Sequence, residues 1–565
     1  MTNTHKIIIY QVFTRLFGND NSTNKPHGSI AENGTGKFSA FSMKALNAIR
    51  RMGVTHVWYT GVIAHASKTD YSAYGIPKNH PGVVKGNAGS PYAIRDYYDV
   101  DPDLAGDVPG RMNEFAALIT RTHRAGMKAI IDFVPNHVAR EYHSVARPEG
   151  TVDLGSHDNP HTTFASDNNF YYMPGQSLEP QFDTGANGVP YHEHPAKVTG
   201  NDCFSALPGV NDWYETVKLN YGVDYLNNRT PFFDPVPDTW HKMLDILLFW
   251  ASQKIDGFRC DMAEMVPAAF WNWVIPQVKA QYPEIIFIAE VYNPAEYRNY
   301  LFHGCFDYLY DKVGLYDTLR AIVANHRSAE AVSDCWKSLE GIQHRMLNFL
   351  ENHDEQRIAS AFFAGDARKA LPAMIVSATL NINPVMLYFG QELGEKGMDA
   401  EGFSGTDGRT TIFDYWSLES IRKWRNGDKY NTALLTAEQK ELRAFYTRLL
   451  TLCNEEKAIS QGIFYDLMYA NGHNPAFNPS RQYAYIRQSE EDFLLIAVNF
   501  DDHAVELSVN IPPHAWQYTG INPERFYKAT DLLTGQETAY FHKETMSLSL
   551  SVAACSGRIV KMFFL

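Results

Sequence analysis

Arg259 and Asp261 stand two residues apart in the stretch KIDGFRCDMAEM, residues 254–265. Phe258 and Cys260 are its apolar members, Asp256-Gly257 bounds it upstream, and Pro267 and a helical pattern with Phe270, Trp271 and Trp273 follow. That order predicts a strand, a short loop and a helix start. At a strand end, residues i and i+2 project from one side, so the guanidinium would lie beside the carboxylate. A carboxylate next to a permanent cation stays ionised at neutral pH, as a nucleophile must. An ordinary structural Arg–Asp pair has the same spacing, so the stretch decides nothing alone.

Three other stretches change its meaning. KAIIDFVPNH (128–137) is an apolar strand ending in polar residues, and IIFIAE (285–290) is a strand whose last residue is Glu290. MLNFLENHD (346–354) ends in His353 and Asp354. Apolar strands that end in His, Asp or Glu and are separated by helical patterns fit a (β/α)8 barrel, in which chemistry gathers at the C-terminal strand ends.

At this point DFVPNH, GFRCDMAEM, IAEV and ENHD together resemble, in order and spacing, the four main motifs of the α-amylase superfamily, glycoside hydrolase family 13. The resemblance implies an α/β fold: a TIM barrel with a domain B inserted after strand 3 and a C-terminal all-β sandwich. It implies domains at 1–137 (first part of the barrel), 138–222 (domain B), 223–455 (second part) and 456–565 (β-sandwich).

It also implies Asp261, Glu290 and Asp354 as catalytic residues. Asp261 would be the nucleophile. Glu290 would be the proton donor, its pKa raised by apolar Ala289 and Val291 beside it. Asp354 would grip sugar hydroxyls. His137 and His353 match the family's sugar-binding histidines, Arg259 its arginine, and Tyr92 the tyrosine against the sugar face, although Ser90 replaces a histidine often found two residues earlier. Glu351 is read as structural, and Asp132 as a supporting group. Glu264 and Met265 occupy places where many α-amylases carry a lysine and a histidine that bind the leaving part of starch. An anionic Glu264 in contact with substrate predicts a preference for short maltooligosaccharides or cyclic dextrins.

VKLN (217–220) resembles the fifth motif of neopullulanases and cyclomaltodextrinases, mostly intracellular enzymes that usually carry a further N-terminal domain. In calcium-dependent relatives the ion is held by the asparagine of the first motif, an aspartate of the fifth and a carbonyl at the second motif's histidine. Here those places are Asn136, Lys218 and Met265. An ammonium in place of a carboxylate repels the cation, so no metal and no cofactor is expected there.

The resulting expectation is a retaining α-glycoside hydrolase acting on α-glucans or maltooligosaccharides through a covalent glycosyl-enzyme. The alternative is a glucanotransferase or glucoside isomerase using the same intermediate; a non-catalytic homologue fits least, because all three carboxylates are present.

The elements that position these residues can be followed along the chain. Residues 7–13 form an apolar run for a first buried strand, 41–52 an amphipathic helix, 54–60 a second strand, 112–124 a helix and 127–133 the third strand. From 138 to about 221 the pattern becomes turn-rich and aromatic, a length of loop that is uncommon unless functional. His192 and His194 within it lack a third ligand at a recognisable spacing, so a solvated loop is the simpler reading. Residues 240–252 and 367–380 read as helices, 305–310 and 385–392 as strands, and 436–452 as the closing helix. Beyond 456 the period switches to two.

The 565 residues require more than one compact unit. A net charge of −14 and no Lys/Arg run exclude a nucleic-acid patch. Six scattered cysteines suit free thiols in a reducing compartment, and the apolar run at 7–13 is too short for a signal peptide. Together with the broken apolar stretch at 371–390, this predicts a cytoplasmic protein with no membrane partner.

Overall fold

The computed structural model describes residues 6–184, 188–490, 492–537 and 539–564. Eight parallel strands close into a barrel: β1 (Ile8–Phe13), β2 (His56–Thr60), β3 (Lys128–Phe133), β4 (Gly257–Cys260), β5 (Ile286–Ala289), β6 (Tyr308–Tyr310), β7 (Met346–Phe349) and β8 (Val385–Tyr388). Neighbours in the barrel follow chain order, and β1 closes it by pairing with both β2 and β8.

Alternation along each strand separates two cores. Tyr10, Val57, Phe258 and Phe287 face outward and join the layer packed under the helices. Ile9, Trp58, Ile130, Ile288, Tyr310, Leu347 and Met386 fill the barrel interior.

The principal helices include α1 (Met43–Arg50), α2 (Arg111–Arg124), α3 (Asp238–Ser252), α4 (Ala268–Gln281), α5 (Asp317–Val323), α6 (Ala331–Ser338), α7 (Leu371–Thr379) and α8 (Ala437–Glu455). In α2 the buried residues Phe115, Leu118, Ile119 and Thr122 recur at three- and four-residue steps, and its last turn carries Arg121, His123 and Arg124 at the negative end of the helix dipole. In α3 buried Trp250 donates its indole N–H to the Tyr97 carbonyl (2.7 Å). Truncating such a side chain to alanine costs about 3–5 kcal/mol.

The segment inserted between β3 and α3 holds short antiparallel pairs, His137–Ala139 with Thr216–Lys218 and Tyr172–Met173 with Ala196–Lys197, around a small core of Tyr171, Met173, Leu178 and Val198. The C-terminal domain has a five-stranded antiparallel sheet and a three-stranded one. In chain order its strands are β9 (Ile463–Asp466), β10 (Gln482–Gln488), β11 (Phe493–Asn499), β12 (Val505–Asn510), β13 (Phe526–Asp531), β14 (Ala539–His542), β15 (Ser547–Val552) and β16 (Ser556–Phe564), with α9 (Pro513–Thr519) between β12 and β13. The five-stranded order is β9-β10-β11-β16-β13.

The sixth strand starts later than 305, because Cys305 sits in the left-handed region (φ 64°) and turns the chain before Tyr308. The eighth stops at Tyr388: Gly390 (φ 87°) redirects Gln391 and Glu392 into a helical turn.

Candidate active site

The site is built on the register of β3, β4 and β5. Cys260 lies level with Phe133 on one side and Ala289 on the other. The ladder runs one step further, since Asp261 N–H bonds Phe133 O (2.9 Å) and Glu290 N–H bonds Cys260 O (3.1 Å). Asp261 and Glu290 therefore emerge side by side at the C-terminal ends of adjacent strands. Both line a cavity of about 460 Å³, together with Asp354, Tyr92 and His137.

Arg259 is 1% exposed and organises this floor. Its Nη1 donates to Asp261 Oδ1 (2.7 Å), and its Nη2 ion-pairs with Glu290 Oε2 at 2.8 Å. Asp132 Oδ1 lies 3.5 Å from Nη1, and the rings of Trp58, Tyr92 and Tyr310 surround the guanidinium at 5.2–5.5 Å. Packing among π-faces fixes a cation whose fork then fixes two carboxylates.

His353 lies beneath the cavity wall. Gln11 Nε2 donates to its Nδ1 (2.8 Å), which leaves the proton on Nε2, facing the Tyr92 hydroxyl (2.5 Å) and Asp354 Oδ2 (3.0 Å). Burial, then Arg259, holds His353 well below the usual histidine range. Burial, then Lys218 and Lys85, lowers His137 to about 3. Both rings are neutral at physiological pH and act as hydrogen-bonding surfaces rather than cations.

The electrostatics differ from the sequence expectation. Burial raises the Asp261 carboxyl well above the ordinary range; Arg259 opposes this, while Glu290, Asp354 and Asp132 add to it. Asp132 is pushed to about 6, chiefly by burial. Asp354 is pushed to about 7 by burial and then Glu290; its side chain is 40% exposed to the cavity, so water there offsets part of that push. Ala289 and Val291, the apolar neighbours of Glu290, point into the core behind the strand, by alternation. The Glu290 carboxylate meets Met262 N–H (2.8 Å), the Tyr292 hydroxyl (2.5 Å) and Arg259, all donors. Asp261, Glu290 and Asp132 thus face one buried guanidinium, and Asp354 lies on the same cavity.

The structure does not bring Glu264 into the cavity. Met262 takes the left-handed conformation (φ 41°), the chain enters a helical turn over Ala263–Met265, and Glu264 Oε2 accepts from the backbone N–H of Tyr292 (3.1 Å) and Asn293 (3.0 Å). The expected preference for short substrates loses its basis; Glu264 anchors the loop that carries Tyr292. Glu351 is buried away from the cavity against Arg357 (2.8 Å) and Ile358 N–H (2.7 Å). In the inserted segment Glu193 pairs with Arg140 (2.7 Å) and His194 Nδ1 contacts Ser177 Oγ (3.1 Å). Among the described residues no group of three or more His, Cys, Asp or Glu is arranged to hold a metal ion.

Lys218 lies at the junction of barrel and insert, with Nζ 2.6 Å from Asn136 Oδ1, 2.6 Å from Asp202 Oδ1 and 3.4 Å from Met265 O. It also lies 5.2 Å from the Tyr225 ring centroid.

Several lining residues were not anticipated. Trp213 packs against His137 (centroids 5.2 Å), the Lys85–Glu215 pair (3.0 Å) lies beside it, and Lys312, Ile412 and Phe413 close the far side. They come from loops without periodicity; Tyr310, in contrast, was accessible as an inward position of an apolar strand. Arg15, just past β1, ties two of those loops together: Nη1 donates to Ala88 O (2.6 Å), and Nη2 to Gly89 O (2.8 Å) and Ile412 O (2.6 Å).

The profile described as "Alpha amylase, catalytic domain" matches residues 11–462. Alpha-amylase 2 of Dictyoglomus thermophilum is 21% identical over 506 residues, 89% of this chain and 71% of that protein. Neopullulanase 2 of Thermoactinomyces vulgaris is 23% identical over 402 residues, 69% of this chain, and the match spans only 57% of its own length. A maltogenic alpha-amylase from Thermotoga neapolitana has a solved structure that superposes with a TM-score of 0.60 at 19% identity, covering 99% of both chains. At that identity the likeness is one of fold. Among the described residues no helix is long and apolar enough to cross a membrane.

Proposed function

Because the chain belongs to the α-amylase family, glycoside hydrolase family 13, we propose that it hydrolyses α-glucans or maltooligosaccharides with retention of the anomeric configuration. One observation carries the reading: a single buried guanidinium bridges Asp261 and Glu290 at adjacent strand ends, with Asp354 on the same cavity. Carboxyl groups held this closely suit double displacement, which needs about 5–5.5 Å between them, whereas inversion needs room for a water.

In the first step an Asp261 oxygen attacks the anomeric carbon as the glycosidic C–O bond breaks. Glu290 gives its proton to the leaving oxygen. In the second step Glu290 takes a proton from water, the oxygen attacks the same carbon, and Asp261 leaves as carboxylate. Asp354, with His353 Nε2–H beside it, accepts hydrogen bonds from sugar hydroxyls. Tyr92 and the His137–Trp213 pair offer faces to the ring. A calcium ion is not part of this reading, since Lys218 Nζ already contacts the oxygens that would ligate it.

The test is proton NMR of fresh products from maltotriose, β-cyclodextrin and pullulan. The α-anomer is expected first, with water as acceptor. A β-anomer appearing first would overturn the role of Asp261; a longer oligosaccharide as main product would reassign the enzyme as a transferase.

A further inference from the structure

A second groove, of about 700 Å³, lies where α6 of the barrel meets the C-terminal domain. Five aromatic rings line it: Trp336 of α6, Phe464 and Tyr465 of β9, Tyr469, and Tyr518 of α9. Tyr465 is the hub, with ring centroids 5.2 Å from Tyr518 and 6.2 Å from Tyr469. Tyr469 and Tyr518 are 65% and 51% exposed, an uncommon amount for large rings gathered in one place. The floor is rigid, because Asp466 Oδ2 accepts from Ser333 Oγ (2.5 Å), Trp336 Nε1 (2.8 Å) and Tyr483 OH (3.1 Å).

Its charges are mixed: Glu330, Asp334 and Asp466 against Lys337. Such a lining selects neither a polyanion nor a polycation. It suits a neutral ligand with flat C–H faces for the rings and a border of hydroxyls for the carboxylates and phenols, which describes a sugar chain.

Position narrows the ligand further. Val313 lines both the catalytic cavity and a groove of about 370 Å³ that runs past Tyr297 and Arg298. Asp334 lines both that groove and the aromatic one. The three hollows thus adjoin in series through shared lining residues, as an extended chain with one end in the cavity would require.

We propose that the aromatic groove is a second α-glucan-binding site that holds the distal part of a long chain. The glucan specificity rests on the activity proposed above. The test compares the full-length enzyme with a Tyr469→Ala/Tyr518→Ala variant, whose two exposed side chains leave the core intact. Migration through native gels containing soluble starch measures binding; kcat/KM on maltotriose and on soluble starch measures use of the groove. The variant is expected to lose most of its retardation by starch and about fivefold or more in kcat/KM on starch. Its kcat/KM on maltotriose should stay within about twofold.

Equal retardation of both proteins, or a loss on starch matched by the same loss on maltotriose, overturns the groove. An enzyme that is retarded by starch through these tyrosines yet cleaves no α-glucan overturns the activity instead and leaves the groove standing.

Discussion

Replacing Lys218 by methionine keeps most of the side-chain volume and removes an ammonium that touches three oxygens: Asn136 Oδ1, Asp202 Oδ1 and the Met265 carbonyl. Removing one partner from a fully buried ion pair costs about 3–5 kcal/mol. The Asp202 side chain is 24% exposed, so water recovers part of that, while the lost bond to buried Asn136 adds about 1 kcal/mol. The balance is about 2–4 kcal/mol. At about 1 °C per kcal/mol for a chain of this length, the melting temperature should fall by roughly 2–4 °C. Lys218→Asp replaces the cation with a carboxylate beside the same oxygens, a set to which calcium can bind.

Melting curves and turnover of maltotriose, each with chelator and with added calcium, separate the cases. The parent should be indifferent to both additions, Lys218→Met uniformly less stable, and Lys218→Asp restored in part by calcium. A parent that loses activity and stability on chelation and regains them with calcium would refute the reasoning. So would a Lys218→Met protein melting within about one degree of the parent.

Asp261→Asn and Glu290→Gln should each lower kcat at least about 1,000-fold while circular dichroism stays unchanged; near-parental turnover in either removes that residue from the mechanism. Tyr292→Phe deletes a hydrogen bond that holds Glu290 in place, so kcat/KM on maltotriose should fall by about fivefold with the fold retained, and an unchanged value contradicts the role of that bond. Glu401, buried beside Thr411, is pushed up to about 9 by burial and then by nearby Asp399, Asp414 and Glu395. A carboxyl raised in the folded state costs nothing below about pH 4.5, costs more as pH rises, and reaches its plateau near 9. Glu401→Gln should therefore raise stability at pH 7 by up to about 3 kcal/mol, with little gain at pH 4, in urea titrations at the two pH values.

The catalytic end of the barrel was legible because its residues sit at the ends of apolar strands, where alternation fixes the side on which each projects. Arg259 and Asp261 share a side, as their spacing requires, and Phe258 and Cys260 take the other. The same logic failed where the chain leaves the strand. One left-handed residue, Met262, aimed Glu264 at a loop instead of the cavity. The raised Asp261 carboxyl also could not be read from the sequence, since it depends first on burial and then on Glu290, Asp354 and Asp132 converging from three other strands. Trp213 and Phe413 reach the cavity from turn-rich segments with no period to read. In the C-terminal domain, strands such as β10 and β11 were evident from their apolar runs, but β13 was not, because Phe526, Tyr527 and Lys528 are partly or largely exposed.

The Arg15 clamp sets an order of events during synthesis. β1 leaves the ribosome before the other barrel strands, yet one of its two barrel neighbours is β8, and one of the three carbonyls that Arg15 grips belongs to Ile412. At about 5–20 residues per second, roughly 20–80 s separate the emergence of Arg15 from that of Ile412. Throughout that interval β1 has an open edge and Arg15 lacks one of its acceptors. The wall of the cavity that includes Phe413 is thus completed late, after both halves of the barrel have been made. Deleting β1 should therefore abolish ordered substrate binding even though every carboxylate of the site lies elsewhere in the chain.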